Sequence, residues 1–144
     1  MLNTELVACL QEQGWKARQL GGFMGNAGPL WARREGGGWV YGLLAEDRHL
    51  NPAGVVHGGA LATLIDHVLS TVAWEACDRT PCVTVQLDTH FLAELRAGQF
   101  AQARASITAR TSSLVFMDGQ VQVEGRPILA ARAIMKLLRP ARTP

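Results

Sequence analysis

The segment from His49 to Asp66, HLNPAGVVHGGALATLID, gathers the residue types that can do chemistry. Asn51-Pro52-Ala53-Gly54 is turn material. His57-Gly58-Gly59 then leads into a long run with an apolar stripe, so a helix is expected to start at a pair of glycines. The first four N–H groups of a helix lack intrahelical acceptors, and the helix dipole favours negative charge beside them. Glycines leave those donors uncovered, which suits the oxyanion of an acyl-transfer intermediate. The same glycines would also let a helix pack tightly, and the segment alone leaves both readings open.

Asp66 is the second chemical residue. On a helical wheel it falls at the edge of the apolar stripe, near Ala62 and Ala73. A carboxylate bordering a core is costly unless it is paired or hydrogen-bonded. It is either a working carboxylate or a rim residue with a structural hydrogen bond. His67 lies roughly 100° further round the helix, so a direct Asp66–His67 pair is not expected.

Spacing links the two features. Eight residues separate Gly58 from Asp66, roughly 12 Å along one helix. A general base must lie within about 3 Å of the proton it takes, or act through one water. One chain cannot easily bring both groups to one carbonyl. If both act on one substrate, a second copy supplies one of them, and a two-fold dimer builds two equivalent sites.

These residues need elements to position them. The chain has 144 residues, one domain's length. It is 48% hydrophobic and 18% charged, as an ordered globular protein is. A net charge of +2 argues against a nucleic-acid binder. No apolar run reaches the roughly 18 residues of a membrane span. The N-terminal MLNTELVACLQEQ lacks the basic-then-apolar layout of a signal peptide. Cys9, Cys77 and Cys82 are odd in number and show no CxxC spacing, so free thiols and a cytoplasmic location are expected. His49, His57, His67 and His90 form no metal-binding spacing, so no metal is expected. No nucleic acid, membrane or separate cofactor is expected either.

Thr4 to Gln13 reads as a short helix capped by Thr4 and stopped at Gly14. The glycine-rich stretch Gly21 to Pro29 reads as a loop. Leu30–Glu35 and Trp39–Leu44 read as strands joined at Gly36-Gly37-Gly38. Gly58 to Cys77 is the long helix, with Leu61, Leu64, Ile65, Val68 and Val72 in one stripe. Four alternating strands follow. In the first, Val83, Val85, Leu87, Thr89 and Phe91 share one face, and Thr84, Gln86, Asp88 and His90 share the other. In the second, the alanines from Ala101 to Ala109 line one face, small enough for a helix to approach closely. Val115–Glu124 and Ile128–Leu138 complete the set. The result is an α+β chain, a single domain over 1–144 with a helix and loop at 1–27 and a core at 28–139. Its best solution is a curved antiparallel sheet wrapped around one long central helix.

The segment Asn51-x-x-Gly54-x-x-His57-Gly58-Gly59, followed by Asp66, resembles the hotdog-fold acyl-CoA thioesterases of the PaaI type. The resemblance extends to the element order and covers most of 28–139. It implies hydrolysis of an acyl-CoA, with coenzyme A as part of the substrate. It implies that the Gly58 N–H polarises the thioester carbonyl and that Asp66, from the partner subunit, activates water or attacks as a nucleophile. It implies that Asn51 positions water or substrate and that His57 orients the loop and assists at the thioester. Thr84 falls where relatives often carry a hydroxyl beside the acid, although an ordinary strand threonine would look the same. Gly59 and the segment Arg110-Thr111-Ser112-Ser113 are the implied substrate-binding positions. Six of the 12 arginines follow residue 100, namely Arg104, Arg110, Arg126, Arg132, Arg139 and Arg142, and arginine suits phosphate. Each taken singly also fits a solvated strand face. The resemblance further implies a homodimer with shared sites, and a dimer of dimers. A noncatalytic acyl-CoA-binding module on the same fold is the alternative. Phe23, Met24, Trp31 and Trp74 are candidate lining for an acyl tunnel, or ordinary core.

Overall fold

The computed structural model describes residues 2–139. Helix α1 (Leu2–Glu12) starts ahead of Thr4, which lies inside the helix and does not cap it. Its end is set locally. Gly14 takes a φ of 88°, the Gly14 N–H bonds to the Gln11 carbonyl and the Trp15 N–H bonds to the Leu10 carbonyl. That is a glycine-terminated Schellman closure, and it brings Trp15 back onto Leu10 in a shared apolar cluster.

Strands β1 (Lys16–Arg18), β2 (Leu30–Glu35), β3 (Gly38–Leu44), β4 (Cys82–Phe91), β5 (Phe100–Arg110), β6 (Leu114–Val123) and β7 (Arg126–Leu137) form one antiparallel sheet. Their order is β1-β2-β3-β5-β6-β7-β4. Strand β1 gave no sequence signal because its three residues are all exposed and do not alternate. The stretch from Gly21 to Pro29 is not all loop. It holds a one-turn helix, α2 (Met24–Ala27), too short for periodicity to reveal.

The long helix α3 (Gly58–Ala76) lies across one face of the sheet. Leu61, Leu64, Ile65, Val68, Leu69 and Ala73 are its buried residues. They pack on a sheet face that includes Ala101, Ala103, Ala131 and Ala133. The small-residue face does let the helix come close. A Cβ placed on Gly119 would sit 2.9 Å from the Ile65 side chain. The expectation of a curved antiparallel sheet around a central helix, the hotdog arrangement, holds. Helix α1 covers the opposite face, where Leu10 and Trp15 meet Trp31, Val40 and Leu44. Strands β2 and β3 are therefore buried on both sides.

Strand β4 corrects a sequence expectation. Among the described residues it forms an edge of the sheet and pairs only with β7. Its register shifts between Thr84 and Gln86. A bulge inserts an extra residue and reverses which side chains face inward. Cys82 and Thr84 are partly buried before it, and Leu87 and Thr89 after it. Val83 and Val85, grouped with Leu87 on one face by simple alternation, are instead 44% and 58% exposed.

Candidate active site

The loop before α3 is held by its own polar groups. Asn51 Oδ1 accepts from the Ala53 N–H at 2.9 Å and the Val55 N–H at 3.3 Å. This leaves the amide NH₂ of Asn51 as its group for a ligand. The loop is tied back to the short 3-10 turn Asp47–His49, since the His57 N–H donates to the His49 carbonyl at 2.8 Å. His49 is 5% exposed and bonded at both ring nitrogens. Its Nδ1 accepts from the Glu46 N–H at 3.0 Å, so its Nε2–H donates to the Ala27 carbonyl at 2.9 Å. Burial is the main cause of its lowered pKa, and Arg48 adds to it, while the Ala27 bond and Glu46 oppose it. Arg48 donates to the Asn26 carbonyl at 2.7 Å and to the Gly28 carbonyl. One turn thus fastens both α2 and the loop that delivers Gly58.

His57 caps α3. Its Nδ1 accepts the Gly59 N–H at 2.7 Å. A ring nitrogen that accepts carries no proton, so the neutral ring holds its hydrogen on Nε2, and the side chain is exposed. Gly59 therefore spends its N–H on His57. The Gly58 N–H meets no acceptor among the described residues. Beside it stands the Phe91 ring, 3.4 Å from where a Gly58 Cβ would lie. The sequence reading did not single out Phe91 as a site residue. Its signal is position alone, as the last residue of the strand that carries Thr84.

Asp66 lies partly buried in the middle of α3. Its Oδ1 accepts the Thr84 hydroxyl at 2.6 Å, the short distance of a charge-assisted bond. The bulge in β4 keeps Thr84 on the helix side of the sheet. His67 makes no hydrogen bond to Asp66 among the described residues. Burial lowers its pKa, and the Asp66 charge opposes that shift.

Arg110-Thr111-Ser112-Ser113 lies at the other end of α3. Arg110 donates to the Ala76 carbonyl at 3.4 Å. Arg139 donates to the Ser112 carbonyl at 2.5 Å. The Thr111 hydroxyl is used within the turn, accepting from Leu114 at 3.0 Å and from Ser113 at 3.4 Å. Arg79 sits over Trp74 at the same end, 5.3 Å from the ring centre. Eighteen residues separate Ala76 from Gly58, so this arginine-rich end is roughly 27 Å from the glycine within one chain.

The remaining candidates scatter. Arg104 and Arg132 are committed to Glu35 and Asp118. Arg142 lies outside the described residues. Trp31 belongs to the cluster under α1, and Trp74 to the far end of α3. A groove of about 620 Å³ is bordered by Asp88, His90, Arg104, Asp118 and Arg132 together with Ala105, Ala130 and Ala131, and none of the motif residues lines it. Among the described residues no helix is long and apolar enough to cross a membrane, and no three His, Cys, Asp or Glu side chains cluster as metal ligands would.

A family model described as the thioesterase superfamily matches residues 53–130, more than half of the chain and all of the Gly58–Asp66 segment. Curated proteins give no match. The chain is similar in structure to zebra fish thioesterase superfamily member 2, with a TM-score of 0.73 at 20% identity over 96% of this chain and 99% of that one. It is also similar to a putative thioesterase, a phenylacetic acid degradation-related protein from Ralstonia eutropha, with a TM-score of 0.65 at 23% identity over 90% and 89%. A hypothetical thioesterase from Streptococcus pneumoniae, solved with coenzyme A, has a TM-score of 0.64 at 18% identity over 87% and 89%. Sequence motif, fold and family model agree, and the chain belongs to the thioesterase superfamily.

Proposed function

We propose that this chain hydrolyses an acyl-CoA thioester to a carboxylic acid and free CoA, at a site shared by two copies. The observation that carries the reading is the pairing of one free donor and one held acid on a single helix. Among the described residues the Gly58 N–H is without an acceptor, Asp66 is oriented by Thr84, and eight residues of helix put the two too far apart to meet on one carbonyl within a chain. Coenzyme A bound to a structural relative supports the substrate class.

In the proposed reaction the carbonyl oxygen lies against the Gly58 N–H, where the helix dipole favours developing negative charge. Thr84 holds Oδ1 of Asp66 and leaves Oδ2 to act. As a base, Asp66 takes a proton while the water oxygen bonds to the carbonyl carbon. As the tetrahedral oxyanion collapses, the C–S bond breaks, and the proton passes to the CoA thiolate. As a nucleophile, Asp66 Oδ2 bonds to that carbon itself, the C–S bond breaks as CoA thiolate leaves, and water then cleaves the resulting anhydride, which restores the Asp66 carboxylate, frees the acid and supplies the proton that the thiolate takes up. The Nε2–H of His57 and the amide of Asn51 are the loop's donors toward the thioester. The proposed steps use two copies of the chain, the thioester and water.

The edge strand β4 is the surface for the second copy. It presents unpaired backbone groups together with Val83 and Val85, an arrangement that invites strand pairing. Antiparallel pairing of two such edges runs the two α3 helices in opposite directions. When Asp66 of one copy meets Gly58 of the other, the Arg110 end of the first lies about 15 Å beyond that glycine. An elongated phosphate-bearing leaving group would then run from the thioester toward Arg79, Arg110 and Arg139.

Thiol release from a panel of acyl-CoAs is the test. Wild-type protein should release thiol, and Asp66→Ala should be slower by at least about 10²-fold, the scale of a lost general base. Undiminished turnover in Asp66→Ala overturns the residue assignment. Tight binding of every acyl-CoA without release overturns hydrolysis.

A further inference from the structure

Phe91 is the last residue of β4, and its ring stands 3.4 Å from where a Cβ on Gly58 would lie. In a helix the Cα–Cβ direction tilts toward the N-terminus, and the free N–H groups of the first turn point the same way. The ring therefore lies on the side of the helix end where the Gly58 N–H emerges. Two bonds join a Cβ to its own backbone nitrogen, so the ring edge is within roughly 6 Å of that donor. Backbone contacts hold the ring there. Phe91 pairs with Leu129 of β7, and the Leu92 N–H donates to the Ile128 carbonyl at 2.8 Å. Further along, the carbonyl of the fully buried Leu95 accepts the Val56 N–H at 2.8 Å, just ahead of Gly58. The end of β4 and the loop that delivers Gly58 are thus braced together.

The ring is held but not buried. Phe91 is 53% exposed and belongs to neither apolar cluster. Its exposed half adds no burial to the core of its own chain, so packing within the chain does not account for a large apolar side chain here. What the ring covers is a backbone donor. An N–H with no protein acceptor is hydrogen-bonded to water, and surrounding water weakens its pull on a substrate oxygen. An apolar ring takes part of that water away and brings no carbonyl or carboxylate to occupy the hydrogen. Its neighbour is treated differently, since His57 Nδ1 occupies the Gly59 N–H at 2.7 Å.

Resting on the hydrolysis proposed above, we infer that Phe91 is a positioning residue that keeps bulk water off the Gly58 N–H, so that its hydrogen bond to the developing oxyanion forms in a low-dielectric setting. Phe91 makes no bond to the reacting atoms. It acts through Gly58, and its contribution is realised in the transition state, in turnover and not in substrate affinity. Strand β4 then serves both stretches of α3, with Thr84 on the acid and Phe91 on the donor.

The test is a double-mutant cycle on kcat with Phe91→Ala and Gly58→Pro, read on the acyl-CoA that wild type turns over fastest. Phe91→Ala alone should lower kcat by about tenfold, well short of the 10²–10³-fold loss of the donor itself, with KM nearly unchanged. Phe91→Leu, which stays apolar, should recover most of that loss. In Gly58→Pro chains the donor is gone, so adding Phe91→Ala should cost nothing further. A second full loss in that background would mean that Phe91 serves the interface or the substrate, and it overturns the inference. A loss confined to KM overturns it as well. Hydrogen exchange of the Gly58 amide reads the shield without any turnover. That amide should exchange faster in Phe91→Ala than in wild type or Phe91→Leu, while the His57 amide, bonded to the His49 carbonyl, stays level and reports intact local folding. Should Phe91→Ala disturb the His57 amide, Phe91→Gln, polar and similar in length, carries the same comparison. Equal Gly58 exchange in all variants overturns the shield while leaving hydrolysis standing. Absent thiol release with faster Gly58 exchange in Phe91→Ala overturns hydrolysis and supports the shield.

Discussion

Two stretches of one helix carry the candidate chemistry, and they are built in opposite ways. At Gly58 the working group is backbone. Its position comes from the Asn51 turn, the His57 cap and the His49 anchor, and no side chain at 58 takes part. At Asp66 the working group is a side chain, aimed by one hydroxyl from the neighbouring strand. A backbone donor survives almost every substitution at its own position, whereas a carboxylate is lost by one. Exchanges at the two places should therefore differ sharply in which ones matter.

The largest expected effect comes from the one residue that removes the Gly58 donor. Proline has no N–H, yet it is favoured at the first position of a helix. His57, with φ −59° and ψ 135°, already has the extended backbone that a following proline requires. Gly58→Pro should keep the helix, seen by circular dichroism, and lower kcat by about 10²–10³-fold, the scale for one oxyanion donor. Gly58→Ala keeps the N–H, meets Phe91 only at 3.4 Å, and should lose far less. The shared site adds a sharper comparison. Mixed Gly58→Pro and Asp66→Ala chains, each inactive alone, should recover about a quarter of wild-type activity, because half the dimers are mixed and each holds one intact site. No recovery after subunit exchange, checked by mass spectrometry, would place both groups in one chain.

A smaller effect is expected at the acid's support. Thr84→Val keeps the shape and removes the hydroxyl. A hydrogen bond to a charged group contributes about 1.5–3 kcal/mol, so turnover should fall by about 10- to 150-fold, with KM nearly unchanged. Thr84→Ser should restore it. Loss confined to KM would mean that Thr84 serves substrate binding and not the acid.

The contrast also explains what the sequence revealed. The acid was legible because a carboxylate beside an apolar stripe is a local contradiction, visible in residue types alone. The hotdog architecture was legible because α3 and the alanine-lined strands have strong periods. Less was legible where tertiary contacts decide. The helix α2 is one turn long and is fixed by residues about 20 positions away, at Arg48 and His49. The bulge in β4 changes no residue type, yet it turns Val83 and Val85 outward and keeps Thr84 on the helix side. By residue type Gly58 and Gly59 read alike as candidate donors, and the family resemblance alone singles out Gly58. The His57 Nδ1 contact gives the physical difference, since it occupies the Gly59 N–H.

The smallest expected effect should reach the Gly58 stretch and leave the Asp66 stretch alone. His49 is buried in its neutral form with both ring nitrogens bonded, and burial holds its pKa below the ordinary 6.5. The unfolded chain therefore binds a proton at higher pH than the folded one does. The stability tied to neutral His49 is fully present above pH 6.5 and is lost as pH falls from there through the lowered folded-state value. Protonation puts a hydrogen on Nδ1, which can then no longer accept the Glu46 N–H, and it charges a site already beside Arg48. His67 has a lowered pKa as well and contributes a slope of the same sign, so the comparison must be made against a His49→Gln variant at each pH. Between pH 7.5 and 5.5 wild type should lose more Tm than His49→Gln does, because the unfolded chain takes up the His49 proton before the folded one. Hydrogen-exchange protection factors should fall further in wild type than in His49→Gln over that range at Glu46 and His57, whose amides bond to His49, and should change alike in both proteins in the middle of α3, where His67 acts in each. Equal acid losses in variant and wild type would mean that His49 does not hold the loop. A fall around Asp66 in wild type that His49→Gln abolishes would mean that the two stretches share one anchor, which the separate hydrogen bonds at His49 and Thr84 argue against.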